Sequence, residues 1–335
     1  MSKTKVRVCI SSCGQGESLY ERELKRIALL SNQQVIEFAD NPEDADLILI
    51  VDIDERNLFK NLRNNPVWKK YPDKSFGMYE GDNAPPFLHG LYSDARKSRI
   101  NTNRFLGLPY TMHQICFPNP VPETYLVKSV PKDLLFTFAG RMSHKIRNKL
   151  FDNIYPSKEV QLVDTSTYNH FQIEGKNRTE FQDSYWQLAM RSKYVLCPRG
   201  AAVSSVRLFE IMEAGIAPVI ISDDWSAPYG PNWKDFAIVI PERKIKHLYS
   251  IVKSHENEWE IRGEKARESW EEYYSNSKYW DFCLESIKFI QQNQRLSESF
   301  FTRIHPLLLA QKYLNLYYFK SIVLCKAFAK KIMYH

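Results

Sequence analysis

The sequence predicts an α/β protein of two units, each a parallel sheet wound with helices on both faces. Three observations carry this expectation. Apolar runs of strand length alternate with helical patterns from the start of the chain. The stretch Tyr194 to Asp223 reads as one complete strand–helix–strand crossover. The length of 335 residues accommodates two domains of ordinary size.

In chain order, Lys5 to Ser11 reads as a strand and Glu17 to Leu30 as a helix with Leu19, Leu24, Ile27, Ala28 and Leu30 on its apolar positions. Val35 to Phe38 is a second strand, Asn41 to Ala45 a turn, and Leu47 to Val51 a fully apolar strand of the buried parallel type. The turn Ser11 to Gly16 lacks the third glycine of the dinucleotide fingerprint and reads as structural. Asp52 and Asp54 imitate a D-x-D metal motif. Two carboxylates at that spacing are too few oxygen ligands, so no metal is expected. Leu106 to Pro122 is proline-rich and closes the first half, and Tyr125 to Lys132 reads as a linker. Leu134 to Ala139 opens a second unit with Gly140 and Arg141 at the end of its first strand. The helix 146–151 carries Arg147, which can face a ligand or pair with a carboxylate.

Within the central crossover, Tyr194 to Leu196 is a strand that Cys197-Pro198-Arg199-Gly200 interrupts. A helix follows with Val206, Phe209, Ile211 and Met212 on its apolar positions, and Ala217 to Ile221 is the second strand. Ligands of such units bind at strand C-terminal ends and helix N-termini. Gly200 permits close backbone approach, Ser204 and Ser205 can cap the helix or donate to phosphate, and Arg199 and Arg207 add charge. Glu210 can accept bonds from ribose hydroxyls. The plainer alternative makes Ser204 only an N-cap, and Arg207 and Glu210 a surface i,i+3 pair.

The blocks CPRG, SSVRLFE, AGIAPVIISDDW and PYGPNWKDFAIVI, preceded by Phe138-Ala139-Gly140-Arg141 and Arg147, resemble the nucleotide-sugar-binding half of the exostosin family of glycosyltransferases. The resemblance runs from about Leu134 to Ile290; Ala201 and Ala202 stand where family members often carry larger or charged residues. It implies a GT-B-like fold, two Rossmann-like domains facing a central cleft, and an inverting transfer with no required cofactor or protein-held metal. The donor-binding set it implies is Arg141, Arg147, Arg199, Gly200, Ser204, Ser205, Arg207, Glu210 and Asp223. The general base is expected from the acidic, aromatic segment Glu80 to Ile100, where Asp82, His89 and Asp94 are the candidates, Asp82 first. Each can equally be an ordinary loop residue.

A hydrophobic content of 44% with 25% charged residues is that of a globular chain. Six scattered cysteines without paired spacing suit reduced thiols rather than zinc or disulfides. The basic start carries too short an apolar core for a signal peptide, so a cytoplasmic enzyme is expected. The net charge of +7 suits anionic ligands, and no nucleic-acid module is legible. From Ser299 to His335 there is no acidic residue, while lysines and large apolar residues intermingle. That tail can lie on anionic lipid at the inner face of the membrane, or pack across both domains.

The expected organisation is an acceptor-side domain at 1–130, a nucleotide-sugar domain at 131–298 and a basic tail at 299–335. The expected activity moves a sugar from a nucleotide-sugar, a UDP-sugar first, to a glycan or lipid-linked glycan in cell-surface polysaccharide synthesis. Other glycan-assembly enzymes are the expected protein partners. Two rivals stand beside it: a non-catalytic partner subunit of such a complex, and a GDP-sugar fucosyltransferase-type enzyme.

Overall fold

The computed structural model describes residues 5–16, 18–31, 35–98, 103–127, 130–156, 158–167 and 176–314. The first half runs β1 (Val6–Ser12), α1 (Leu19–Ala28), β2 (Ile36–Phe38), β3 (Leu47–Val51), α2 (Arg56–Arg63), α3 (Pro66–Lys70), β4 (Ser75–Tyr79), β5 (Gly90–Tyr92), β6 (Phe105–Gly107), α4 (Thr111–Cys116) and α5 (Glu123–Val127). The second runs β7 (Leu134–Gly140), α6 (Lys145–Phe151), β8 (Val160–Asp164), α7 (Lys176–Met190), β9 (Ser192–Pro198), α8 (Val206–Glu213), β10 (Ala217–Ile221), β11 (Ile238–Ile240), α9 (Leu248–Ser254) and α10 (Trp259–Ser269). Then come α11 (Tyr279–Asn293) and a final helix, α12, at 298–314.

Each half holds one parallel sheet. The first has the order β2-β1-β3-β4-β5-β6 and the second β8-β7-β9-β10-β11. Counted within its own half, each sheet runs 2-1-3-4-5, the first adding a sixth strand at its edge, so the strand order reverses once: between β1 and β3, and between β7 and β9. In open parallel sheets the crevice outside the strand C-termini at that reversal is the ligand site. β3 and β10 are buried along their whole length, as expected of strands covered on both faces.

Side chains of both halves share one apolar core, in which Tyr110 and Phe209 lie 6.4 Å apart across the join. The halves are also stitched by backbone bridges between Arg96 and Trp225 and between Gly107 and Pro228. Asp82, His89, Asp94 and the donor set line neither of two surface hollows, one walled by Arg104, Arg295 and Phe301, the other by Glu43, Val67 and Tyr71.

The expected domain limit at 298 is corrected. α11 leaves the second sheet and returns to the first half, where Trp280 Nε1 donates to the Leu24 carbonyl at 3.1 Å and Tyr279 faces Met78. α12 also packs there, with Leu309 buried among Phe59, Trp68 and Phe87. In the second sheet, α8 and α10 pack against β10, while the apolar faces of α11 and α12 are buried in the first half. Of the basic tail, 299–314 thus lies on the first half, and 315–335 falls outside the described residues.

Candidate functional site

The reversal between β7 and β9 is held together by guanidinium groups. Arg147, buried on α6, donates Nε to the Arg199 carbonyl at 3.0 Å, Nη2 to the Pro198 carbonyl at 3.1 Å and Nη1 to the Arg141 carbonyl at 2.9 Å. It therefore ties the ends of both strands, which a lysine with its point charge would not do in one plane. Burial, with Arg207 nearby, lowers its pKa to about 9. Gly200 sits against this clamp. A Cβ there would lie 3.1 Å from Ser143 Oγ and 3.2 Å from Arg147 Nη2, so the glycine serves close approach.

Arg207, one residue into α8, reaches back over the Phe138 ring and donates Nη2 to the Ala139 carbonyl. Among the described residues its Nε and Nη1 are buried without a partner, as are Ser204 Oγ and Ser222 Oγ. Ser205 takes the N-cap position of α8, yet its side chain makes no cap bond. The N-cap reading of Ser204 is thus overturned, and among the described residues the first-turn amides of α8 carry no side-chain acceptor. Buried polar groups are normally paired, so four such atoms at the start of α8 and just past the end of β10 mark a polar site on the C-terminal side of the sheet.

The surface-pair reading of Arg207 with Glu210 is also corrected. Glu210 accepts from Asn119 Nδ2 at 3.0 Å and from Tyr185 OH at 3.1 Å, and its burial raises its pKa. A carboxylate has about four lone-pair sites, so two remain. Asn119 and Tyr185 were not legible as site residues. Asn119 sits in the proline-rich run that follows the first sheet, and only folding brings it under α8.

Arg199 is largely buried. Its Nε and Nη2 donate to the carbonyls of Gly200 at 3.3 Å and Ala201 at 3.1 Å, and Nη1 lies 4.0 Å from Glu242. Arg141 is exposed, with no side-chain hydrogen bond or ion pair among the described residues. Asp223 is exposed, and its Oδ1 accepts from the Glu242 amide at 2.8 Å, capping the turn after β11. Trp225 packs edge-on against Trp233 at 4.9 Å in the interior.

On the first half, the three base candidates separate. His89 is buried and stacked on Phe76 at 3.8 Å. Its Nδ1 meets Gln294 Oε1 at 2.7 Å and Nε2 meets the Ser75 carbonyl at 2.8 Å. Desolvation pushes its pKa down to about 3. With both nitrogens committed inside the core, His89 is a structural residue, a correction to its candidacy. Asp94 is buried too, accepting from the Val203 amide at 3.0 Å and from Arg96 Nε at 2.7 Å. Burial raises its pKa to about 6, against the opposing pull of Arg96 and Arg199. Asp82 is exposed just beyond the C-terminal end of β4 and close enough to Tyr110 to act on it electrostatically. Asp52 and Asp54 diverge: Asp52 accepts from Ser12 Oγ at 2.5 Å and Asp54 pairs with Arg56 at 2.7 Å.

Residues 95–255 match the Exostosin GT47 domain. That span holds the whole donor set and begins one residue after Asp94. The chain is 25% identical to Exostosin-1 of Drosophila melanogaster over 236 residues, 63% of this chain and 29% of that protein. It is 31% identical to Exostosin-2 of Homo sapiens over 97 residues, 28% of this chain and 14% of that one. The chain thus spans less than a third of the length of these relatives. Among solved structures it is similar to the wall teichoic acid polymerase TagF, over 87% of this chain and 90% of that one, at 8% identity and a TM-score of 0.28, an overlap from which nothing about the site follows. The CPRG turn, the SSVRLFE helix and the Arg147 clamp all lie inside the span that matches the Exostosin GT47 domain, and the comparisons support an exostosin-family glycosyltransferase.

Proposed function

We propose that this protein is an inverting glycosyltransferase that uses a nucleotide-sugar, a UDP-sugar first, and passes the sugar to a glycan or lipid-linked glycan. The observation that carries the reading is the set of buried polar atoms on Ser204, Arg207 and Ser222, without a partner among the described residues, at the C-terminal side of β9 and β10. These donors, the uncapped first turn of α8 and the free Arg141 suit a diphosphate. As the bond from the anomeric carbon to the diphosphate oxygen breaks, Arg141, Arg199 and Arg207 neutralise the charge on the leaving group. Glu210, held by Asn119 and Tyr185, has lone pairs left for ribose hydroxyls. Asp223 keeps its second carboxylate oxygen for the donor sugar.

The acceptor hydroxyl needs a base within hydrogen-bond reach. Asp82 is the remaining candidate, since His89 and Asp94 are committed elsewhere. Among the described residues no helix is long and apolar enough to cross a membrane. α12 instead turns Phe300, Leu307 and Leu314 outward at a spacing of seven, 43%, 70% and 67% exposed, which suits contact with anionic lipid beside a lipid-linked acceptor.

Thermal unfolding with UDP, GDP and CMP tests the donor site. Saturation at ~100 times the dissociation constant adds about 2.7 kcal/mol of stability. One nucleotide is expected to stabilise the protein and to lose that effect in Arg207→Ala. No stabilisation by any of the three would overturn the donor reading and favour a partner subunit without transfer activity.

A further inference from the structure

The loop from Arg199 to Ser205, at the head of α8, is rich in small residues and has no regular structure of its own. Arg147 fixes its start from within the second half. Its middle is fixed from the other half. Asp94, 3% exposed, accepts the Val203 amide on Oδ1 and Arg96 Nε on Oδ2. Arg96 then donates Nη2 to the Ala201 carbonyl at 3.0 Å, the oxygen to which Arg199 Nη2 also donates at 3.1 Å. Two guanidiniums thus converge on one carbonyl oxygen, and burial first, then repulsion by Arg96, lowers the pKa of Arg199. The next residues grip the loop after β10. The Lys97 amide donates to the Asp224 carbonyl at 3.0 Å, and Ser98 donates its amide and hydroxyl to the Asp224 carboxylate at 2.6 and 2.7 Å. One short segment, 94–98, therefore holds both ligand-side loops of the β9–α8–β10 crossover.

We propose that 94–98 is an interdomain latch in which Asp94 and Arg96 are positioning residues that hold the donor loop in its binding geometry. Donor affinity is then set in part by the acceptor-side half. The proposal rests on the donor reading above. Asp94 is 3% exposed and bonded through both oxygens to the Val203 amide and Arg96, so it is assigned to the loop and not to the substrate. Simple glue between the halves would give stability alone. A latch on this loop also sets nucleotide affinity, because Ala201 and Val203 lie directly before Ser204 and α8.

The test is calorimetric titration of UDP, GDP and CMP into the full chain, with hydrogen exchange followed on the same proteins without nucleotide. Arg96→Ala and Asp94→Ala are each expected to weaken binding ~10-fold, about one charge-assisted hydrogen bond. The double variant is expected to be no weaker than either single one, because both residues act through one contact. Asp94→Asn keeps an acceptor for Val203 without the charge that orients Arg96, and should fall between. Exchange at 201–205 should rise in Asp94→Ala while β1 keeps its protection. Unchanged affinity, unchanged exchange, additive losses, or loss of protection throughout the chain would each overturn the latch. If Asp94→Ala does not fold, Arg96→Ala and Asp94→Asn decide the same question. Nucleotide binding that Arg207→Ala abolishes and Arg96→Ala leaves intact sinks the latch alone. No nucleotide binding by the unaltered protein sinks the donor reading and the latch together.

Discussion

The two sheets share a strand order and differ in what fills the place where that order reverses. Between β7 and β9 stand Arg147 and Arg207, bonded to strand-end carbonyls, with unpartnered donors beside them. Between β1 and β3 stand a hydroxyl, a carboxylate and an amide: Ser12 donates to Asp52, and Asn61 Nδ2 donates to the carbonyls of Asp52 at 3.0 Å and Cys13 at 3.4 Å. Asp52 and, just after it, Asn57, Leu58 and Phe59 also take positive φ. The same fold thus offers one crevice lined by guanidinium donors and one whose hydroxyl, carboxylate and amide bond to one another and to strand-end carbonyls. The strand order decides where a ligand can sit, and the side chains decide its charge.

The largest expected break in this contrast is Arg147→Ala. It strands three strand-end carbonyls, at a cost of about 3 kcal/mol by urea unfolding, whereas Asn61→Ala at the opposite reversal should cost about 1–2 kcal/mol. Next is Arg207→Ala. Loss of the nucleotide-dependent stabilisation, up to about 2.7 kcal/mol, is expected there but not in Ser12→Ala, so an equal loss in both would erase the distinction between the crevices.

A third expectation concerns the first half alone. His89 is neutral in the fold down to a pKa of about 3, far below the usual imidazole range. The unfolded chain therefore binds more protons between pH 6.5 and 3. Its contribution is complete above 6.5 and is lost as pH falls through that window, at up to ~1.4 kcal/mol per pH unit. His89→Gln should flatten that limb in denaturation measured at several pH values. The smallest effect on stability is expected for Leu307→Glu with Leu314→Glu on the outer face of α12, within ~0.5 kcal/mol each. Those changes should still abolish co-sedimentation with anionic vesicles; retained binding would exclude this face as the lipid contact.

Much of this protein is written locally. β3 is found where Leu47 to Val51 run apolar, and β9–α8–β10 where the crossover pattern stood, because strand and helix periods are properties of neighbouring residues. The residues proposed for the donor site were legible for the same reason, most of them lying at strand ends and a helix start that a short window defines. What a window cannot carry is the identity of distant partners. His89 looks like a loop histidine until Gln294 and Glu298 arrive from beyond α11. Asp94 looks like a base until Val203 closes on it. Asn119 looks like part of a proline-rich connection until it lies under Glu210.

The sequence by itself determined the α/β class, the positions of most strands and helices, and the residues at the β7–β9 crevice. Tertiary structure decided which of those polar groups are already satisfied, which half owns α11 and α12, and that the loop 199–205 is held from across the join. The physical reason is one of range. Periodicity and turn chemistry act over a few residues, whereas burial and hydrogen-bond satisfaction depend on groups that only the folded chain brings together.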